Sequence, residues 1–112
     1  MQSKDLSLIG FAVKARKVVF GLNQIKSCKK RVCLMFICHT ASQSTQHAAL
    51  SLAKKRRAAA LRTRGVPLED VVGKPNCKSA AITDETFAAA IMRNVSHQFE
   101  IIGREDNNER EG

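Results

Sequence analysis

The stretch VCLMFIC, Val32–Cys38, sets seven apolar residues in a row. Strict alternation of apolar and polar residues would mark a strand with one wet face. An unbroken apolar run of strand length, rich in strand formers, marks a strand covered on both sides. Cover on both sides requires packed layers above and below it, so this segment points to an α/β architecture with a central strand.

The segments around it alternate between helix and strand signals. Leu6, Ile9 and Val13 recur at helical spacing and predict a first helix over residues 3–15. KVVF (17–20) reads as a short strand ended by Gly21, and residues 22–30 as a short basic helix. Beyond the central strand, Ser42 is placed to cap a helix over 43–57 whose Thr45, Ala48, Ala49 and Leu52 form a thin apolar stripe. Its KKRR end (54–57) sets cations beside the helix's negative pole, which is a sufficient structural reason for them. AAALR (58–62) is a further strand. Pro67 suits a first helical position, so PLEDVVG predicts a short helix stopped by Gly73. KSAAIT (78–83) is a strand, and Thr83 or Asp84 caps a last helix running through Phe87, Ala90 and Ile91. HQFEII (97–102) fits either an edge strand or an ordered extension. The expectation is one domain over residues 1–103, a three-layer α/β/α sandwich around a small four-stranded mixed sheet. Residues 104–112 read as a polar, disordered tail. There is no internal repeat.

Charge is divided unevenly along the chain. Residues 1–65 hold 14 of the 19 cations and one carboxylate, Asp5, whereas residues 66–112 hold 5 cations and 9 carboxylates. Such asymmetry predicts a basic face that attracts polyanions, with nucleic acid the first candidate and anionic membrane the second. No apolar run approaches the roughly 20 residues that span a bilayer. The opening MQSKDLSLIG lacks the basic start, long apolar stretch and cleavage site of a secretory signal, so a cytosolic protein is expected.

Four cysteines, Cys28, Cys33, Cys38 and Cys77, contain no CxxC pair and match no zinc-ligand spacing. Strand parity would turn Cys33 and Cys38 to opposite faces, so they read as small packed thiols, with no metal and no disulfide expected. Cys38-His39 could suggest a nucleophile with its base, but neighbours in a strand point apart. The chain has no phosphate-binding glycine loop, HExxH or GxSxG motif. No enzyme activity and no cofactor are expected. His39, His47 and His97 are scattered and read as surface or packing residues.

Several segments together resemble a known family. LIGFAVKARKVVFG (8–21), TASQST (40–45), GKPNCKSAAIT (73–83) and DETFAAAI (84–91) match, in order and at about the right spacing, the bacterial YlxQ-like members of the kink-turn RNA-binding ribosomal protein family, the L-seven-Ae type. The resemblance covers residues 6–92. It implies an α/β/α sandwich that binds a sharply bent RNA internal loop as a monomer, in association with the ribosome or translation. In that family a Gly-x-Asn-Glu or Gly-x-Lys-Gln element opens the second helix and its polar side chains reach base edges. Gly21, Asn23 and Gln24 match it, and the resemblance implies RNA contacts from them, from Lys17, Lys26, Lys29 and Lys30, and from Cys77, Lys78 and Ser79. The chain departs from the family pattern at Ser27, where Lys is common, at Arg16, where Gly is usual, and at His39-Thr40, which replace an acidic pair. The segment between Gly21 and the central strand is two residues short.

Physical chemistry is compatible with that site. A helix N-terminus offers unpaired N–H groups to phosphate. An amide both donates and accepts at a base edge opened by non-Watson–Crick geometry. Asn23 as a plain helix cap and Gln24 as an ordinary exposed residue are the competing structural roles. With no Trp or Tyr, stacking of single-stranded bases on an aromatic platform is not supported, which favours structured RNA. A protein-interaction adaptor on the same fold, docking through the third helix or the tail, is the alternative function.

Overall fold

In the computed structural model, which describes residues 3–103, the apolar run becomes the middle strand of a five-stranded mixed sheet. The strands are β1 (Val18–Phe20), β2 (Leu34–Ile37), β3 (Ala59–Thr63), β4 (Ser79–Ile82) and β5 (Phe99–Gly103), arranged in the order β1-β4-β2-β3-β5. β2 runs parallel to β3 and antiparallel to β4, with Leu34 opposite both Ala59 and Ile82. β1 pairs antiparallel with β4, and β5 antiparallel with β3. The fifth strand is the one difference from the expected sheet. HQFEII resolves as an edge strand over its last four residues, continued by Gly103.

Five helices cover the sheet: α1 (Lys4–Lys14), α2 (Leu22–Ser27), α3 (Gln43–Lys55), α4 (Leu68–Val72) and α5 (Glu85–Arg93). Strand parity divides the core. Leu34, Phe36, Leu61, Ala80 and Ile82 meet Ile9 and Ala12 of α1, Leu68 and Val72 of α4, and Ala88 and Ile91 of α5. Met35, Ile37, Ala60 and Ala81 point the other way, onto Ile25 of α2 and Ala49, Leu52 and Ala53 of α3. All four residues of β2 are fully buried, as two-sided cover demands. Burying each large apolar side chain of this strand contributes about 1.5–3 kcal/mol. The alanines at 59, 60, 80 and 81 leave room for the helices to approach the flanking strands.

The helix ends follow local chemistry. Ser42 Oγ accepts from the Thr45 N–H at 3.1 Å, and Asp84 Oδ1 accepts from the Phe87 N–H at 3.0 Å. Asp84 is therefore the cap of α5, while the Thr83 hydroxyl donates to the Lys17 carbonyl. Pro67 takes the cap position of α4 in extended geometry, one residue earlier than expected, and Gly73 ends that helix at φ 74°. α1 and α3 both end in Schellman geometry. The Lys17 N–H reaches the Ala12 carbonyl and the Ala58 N–H the Ala53 carbonyl, each at 2.9 Å. The left-handed residues in those two motifs are Arg16 and Arg57, at φ 61° and 57°. Glycine at the position of Arg16 is thus a backbone preference for positive φ.

α2 stops at Ser27, short of the predicted 22–30. The Ser27 hydroxyl bonds back to the Asn23 carbonyl at 3.1 Å, and Cys28 turns extended. Lys29 and Lys30 consequently lie in a connection rather than on a helix. Cys33 precedes β2 and packs against the same core as Cys38, so strand parity does not separate the two. They sit at opposite ends of the strand, about 16 Å apart along it. None of the four cysteines is in a disulfide. The tail predicted for 104–112 lies outside the described residues.

Candidate nucleic-acid interface

The chain leaves β1 through Gly21 at φ 88°, a conformation that suits glycine, and enters α2 directly. The Gly21 N–H donates to the Ser79 carbonyl at 2.8 Å, fixing the start of α2 to the start of β4. No side chain caps this helix; the first helical bond is the Ile25 N–H to the Gly21 carbonyl, at 3.0 Å. Asn23 is therefore inside the first turn rather than at the cap. Asn23 and Gln24 are exposed, and their side-chain amides make no hydrogen bond among the described residues.

The α4–β4 connection supplies the other wall. The Cys38 N–H donates to the Lys78 carbonyl at 2.9 Å, and Lys78 Nζ donates to Thr40 Oγ1 at 2.9 Å. Lys78 is exposed, whereas Cys77 and Ser79 are buried. Of Cys77, Lys78 and Ser79, only Lys78 has an exposed side chain; Cys77 and Ser79 are buried in the ledge beneath it. Lys74 Nζ lies 5.4 Å from the centre of the Phe20 ring, within cation–π range at the same end of the sheet.

Two thiols lie below this ledge. Burial opposes the thiolate of Cys38, but the Thr40 hydroxyl at 3.1 Å, the Leu68 N–H at 3.3 Å and the charge of Lys78 outweigh it. They hold the Cys38 thiol below its ordinary range, while burial pushes Cys77 up. The His39 ring does not face Cys38. Its Nδ1 lies 2.8 Å from Thr63 Oγ1, so the adjacent pair forms no nucleophile–base dyad. No group of three or more metal-ligating residues is gathered among the described residues.

The structure separates the predicted site into two ends of the sheet. Gly21, Asn23, Gln24, Cys77, Lys78 and Ser79 lie where β1 ends and β4 begins. Lys17 lies at the other end of β1, about 13 Å along the strand, with its Nζ 3.9 Å from Asp84. Lys29 and Lys30 lie with it, in the connection that leads into the start of β2, and Lys26 stands in the last turn of α2 between the two ends. Sequence proximity to Gly21 concealed this division, because α2 carries the chain away from the glycine before Lys29 is reached.

The missed contributors are Thr40 and Arg56. Thr40 orients Lys78 from 38 residues away, which no local pattern signals. By its sequence neighbours alone, Arg56 serves only its own helix end. In the fold its Nη2 donates to the carbonyls of Ile25, Lys26 and Cys28 at 2.9, 3.0 and 3.2 Å, closing the C-terminus of α2 from outside.

Asp5, the single carboxylate of the basic segment, is fully buried. Its oxygens accept from the Ser3 hydroxyl, the Leu6 N–H and the Ser96 N–H at 2.6, 2.9 and 2.8 Å. Residues 3–65 therefore present exposed cations and no exposed carboxylate.

No family model matches the chain, and no curated protein does. A solved structure of a protein of unknown function from Bacillus halodurans is similar in fold, with a TM-score of 0.71 at 22% identity. The match covers 82% of this chain and 96% of that one, which supports the three-layer architecture. Among the described residues no helix is long and apolar enough to cross a membrane.

Proposed function

We propose that this chain is a non-catalytic RNA-binding protein that recognises a structured, kink-turn-like RNA, acting in the cytoplasm in association with the ribosome or translation. The observation that carries the reading is the exposed amide pair Asn23 and Gln24, which bonds nothing among the described residues on an uncapped first turn of α2 whose start is bonded to Ser79, the neighbour of Lys78. Two amides that bond nothing among the described residues can bond base edges at no cost to the fold. Backbone N–H groups at the same turn and the Lys78 ammonium suit the adjoining phosphates. The excess of cations in residues 3–65, of which Lys17, Arg31 and Arg62 face Asp84, Glu85 and Glu100, steers the polyanion toward it.

Because Asn23 is not the helix cap, Asn23→Ala is a clean probe. Asn23→Ala or Gln24→Ala should weaken binding to a kink-turn RNA by about 1–3 kcal/mol and leave binding to a plain RNA duplex nearly unchanged. Fluorescence anisotropy with both RNAs measures the difference. If both variants keep the parent's full preference for the kink-turn, base reading at this turn is wrong. Salt-insensitive binding would point instead to a protein-interaction adaptor.

A further inference from the structure

The end of the sheet opposite Asn23 and Gln24 carries a second concentration of charge. Two connections meet there: Cys28–Cys33, leading from α2 into β2, and Arg56–Ala58, leading from α3 into β3. The three bonds from Arg56 to the end of α2 hold them within the reach of one arginine side chain. Lys26, Lys29 and Lys30 are exposed on the first side of that junction, and Lys54 and Lys55 on the second. The nearby ion pairs, Lys17 with Asp84 and Arg31 with Glu85, involve α5 and its cap, on the other face of the sheet.

The pole of α3 accounts for Lys54 and Lys55 but not for Lys29 and Lys30, which stand on no helix. Cations from two separate segments are thus brought to one surface, and Glu85, the carboxylate that reaches the 28–33 connection, is paired with Arg31. The exposed large apolar side chains among the described residues are Phe11, on α1 across the sheet, and Ile101, on the edge strand. Neither accompanies the lysines, so the surface lacks the apolar anchor that membrane attachment requires besides charge.

We propose that Lys29, Lys30, Lys54 and Lys55 form a second, sequence-independent surface for the phosphate backbone of RNA, separate from the amide pair and at the other end of the sheet. The nature of the ligand rests on the function proposed above; the existence of the surface does not. A bent RNA would be read at one end of the protein and gripped through a second segment at the other.

The test uses the full chain with Lys29, Lys30, Lys54 and Lys55 all changed to Gln, and a plain RNA duplex as probe. Each phosphate that the protein no longer neutralises should flatten the slope of log K against log salt by about 0.9, so the slope should become shallower by roughly 3–4. Affinity for the duplex at about 0.1 M salt should fall at least tenfold. The ratio of kink-turn to duplex affinity should stay within about threefold of the parent's, because base readout lies elsewhere. Should the quadruple variant melt, K29Q/K30Q and K54Q/K55Q separately should each flatten the slope by about 2.

An unchanged slope and duplex affinity would overturn the proposal. So would unchanged duplex binding with loss of binding to phosphatidylserine vesicles, which would make the surface a membrane contact. If the parent binds duplex through these lysines yet shows no kink-turn preference, the surface stands and the recognition reading falls. If the parent prefers the kink-turn and the lysine variants match it in every respect, the reading stands and the surface falls. A parent that binds neither RNA refutes both.

Discussion

Arg16 carries a cost that its neighbours do not. A non-glycine residue at φ 61° sits in the left-handed region, which costs about 1–2 kcal/mol. Glycine would relieve that strain but enlarge the unfolded ensemble, an opposing effect of about 0.4–1 kcal/mol. Arg16→Gly should therefore raise stability by up to about 1 kcal/mol, read as a higher urea midpoint with unchanged steepness. A lower midpoint would mean that the arginine side chain compensates its own backbone. The favourable placement of a cation at the end of α1 is the compensation open to it, worth about 0.3–1 kcal/mol. Asn76, at φ 60°, needs less explanation, since its short amide tolerates that region.

At the scale of elements, α2 is the least self-sufficient. Six residues are too few to hold a helix by themselves, and no side chain caps its start. Its order comes from outside: Ile25 is fully buried against the sheet, and the Arg56 guanidinium takes three of its terminal carbonyls. Arg56→Ala should lower stability by about 1–3 kcal/mol, the range for hydrogen bonds from a charged group. Arg56→Lys should recover less than half of that, because an ammonium cannot reproduce the planar fork of donors. Chemical denaturation measures both variants. Amide exchange should show the loss concentrated in Ile25–Cys28. If Arg56→Lys is as stable as the parent, the charge at the end of α3 matters and the bonds to α2 do not.

For the molecule as a whole, acid stability is tied to one buried carboxylate. Burial opposes ionisation of Asp5, but the Ser3 hydroxyl and the Ser96 and Leu6 N–H groups outweigh it and hold the carboxyl below its ordinary range. A pKa depressed by folding contributes stability that is present above the unfolded value, about 3.9, and is lost as pH falls through the folded value. Glu100, beside Arg62 at 2.8 Å, is shifted the same way but at the exposed edge, where solvent weakens the effect. Asp5→Asn leaves a buried N–H without its carboxylate and should cost about 1–3 kcal/mol at pH 7. That deficit should shrink below about pH 4, as the parent's own carboxyl protonates. Urea midpoints of parent and variant between pH 3 and 7 test this, and a constant gap would contradict it. Local residue patterns determined much of this protein: an unbroken apolar run had to be covered on both faces, Ser42 and the Thr83-Asp84 pair marked helix starts, and Gly21 and Gly73 marked sharp exits. These signals are legible because they depend on neighbours within about four residues. The edge strand β5 was legible only as one of two readings, since Glu100 interrupts its pattern and finds its partner, Arg62, only on the neighbouring strand. The site divides in the same way. Gly21, Asn23 and Gln24 could be read as a unit and the resemblance grouped them with Lys78, whereas the fold alone parted them from Lys29 and Lys30 and tied the connection that carries the latter to the end of α3 through Arg56. Charge counts add along a chain, but the field that a polyanion meets depends on which charges share a surface, and chain crossings decide that.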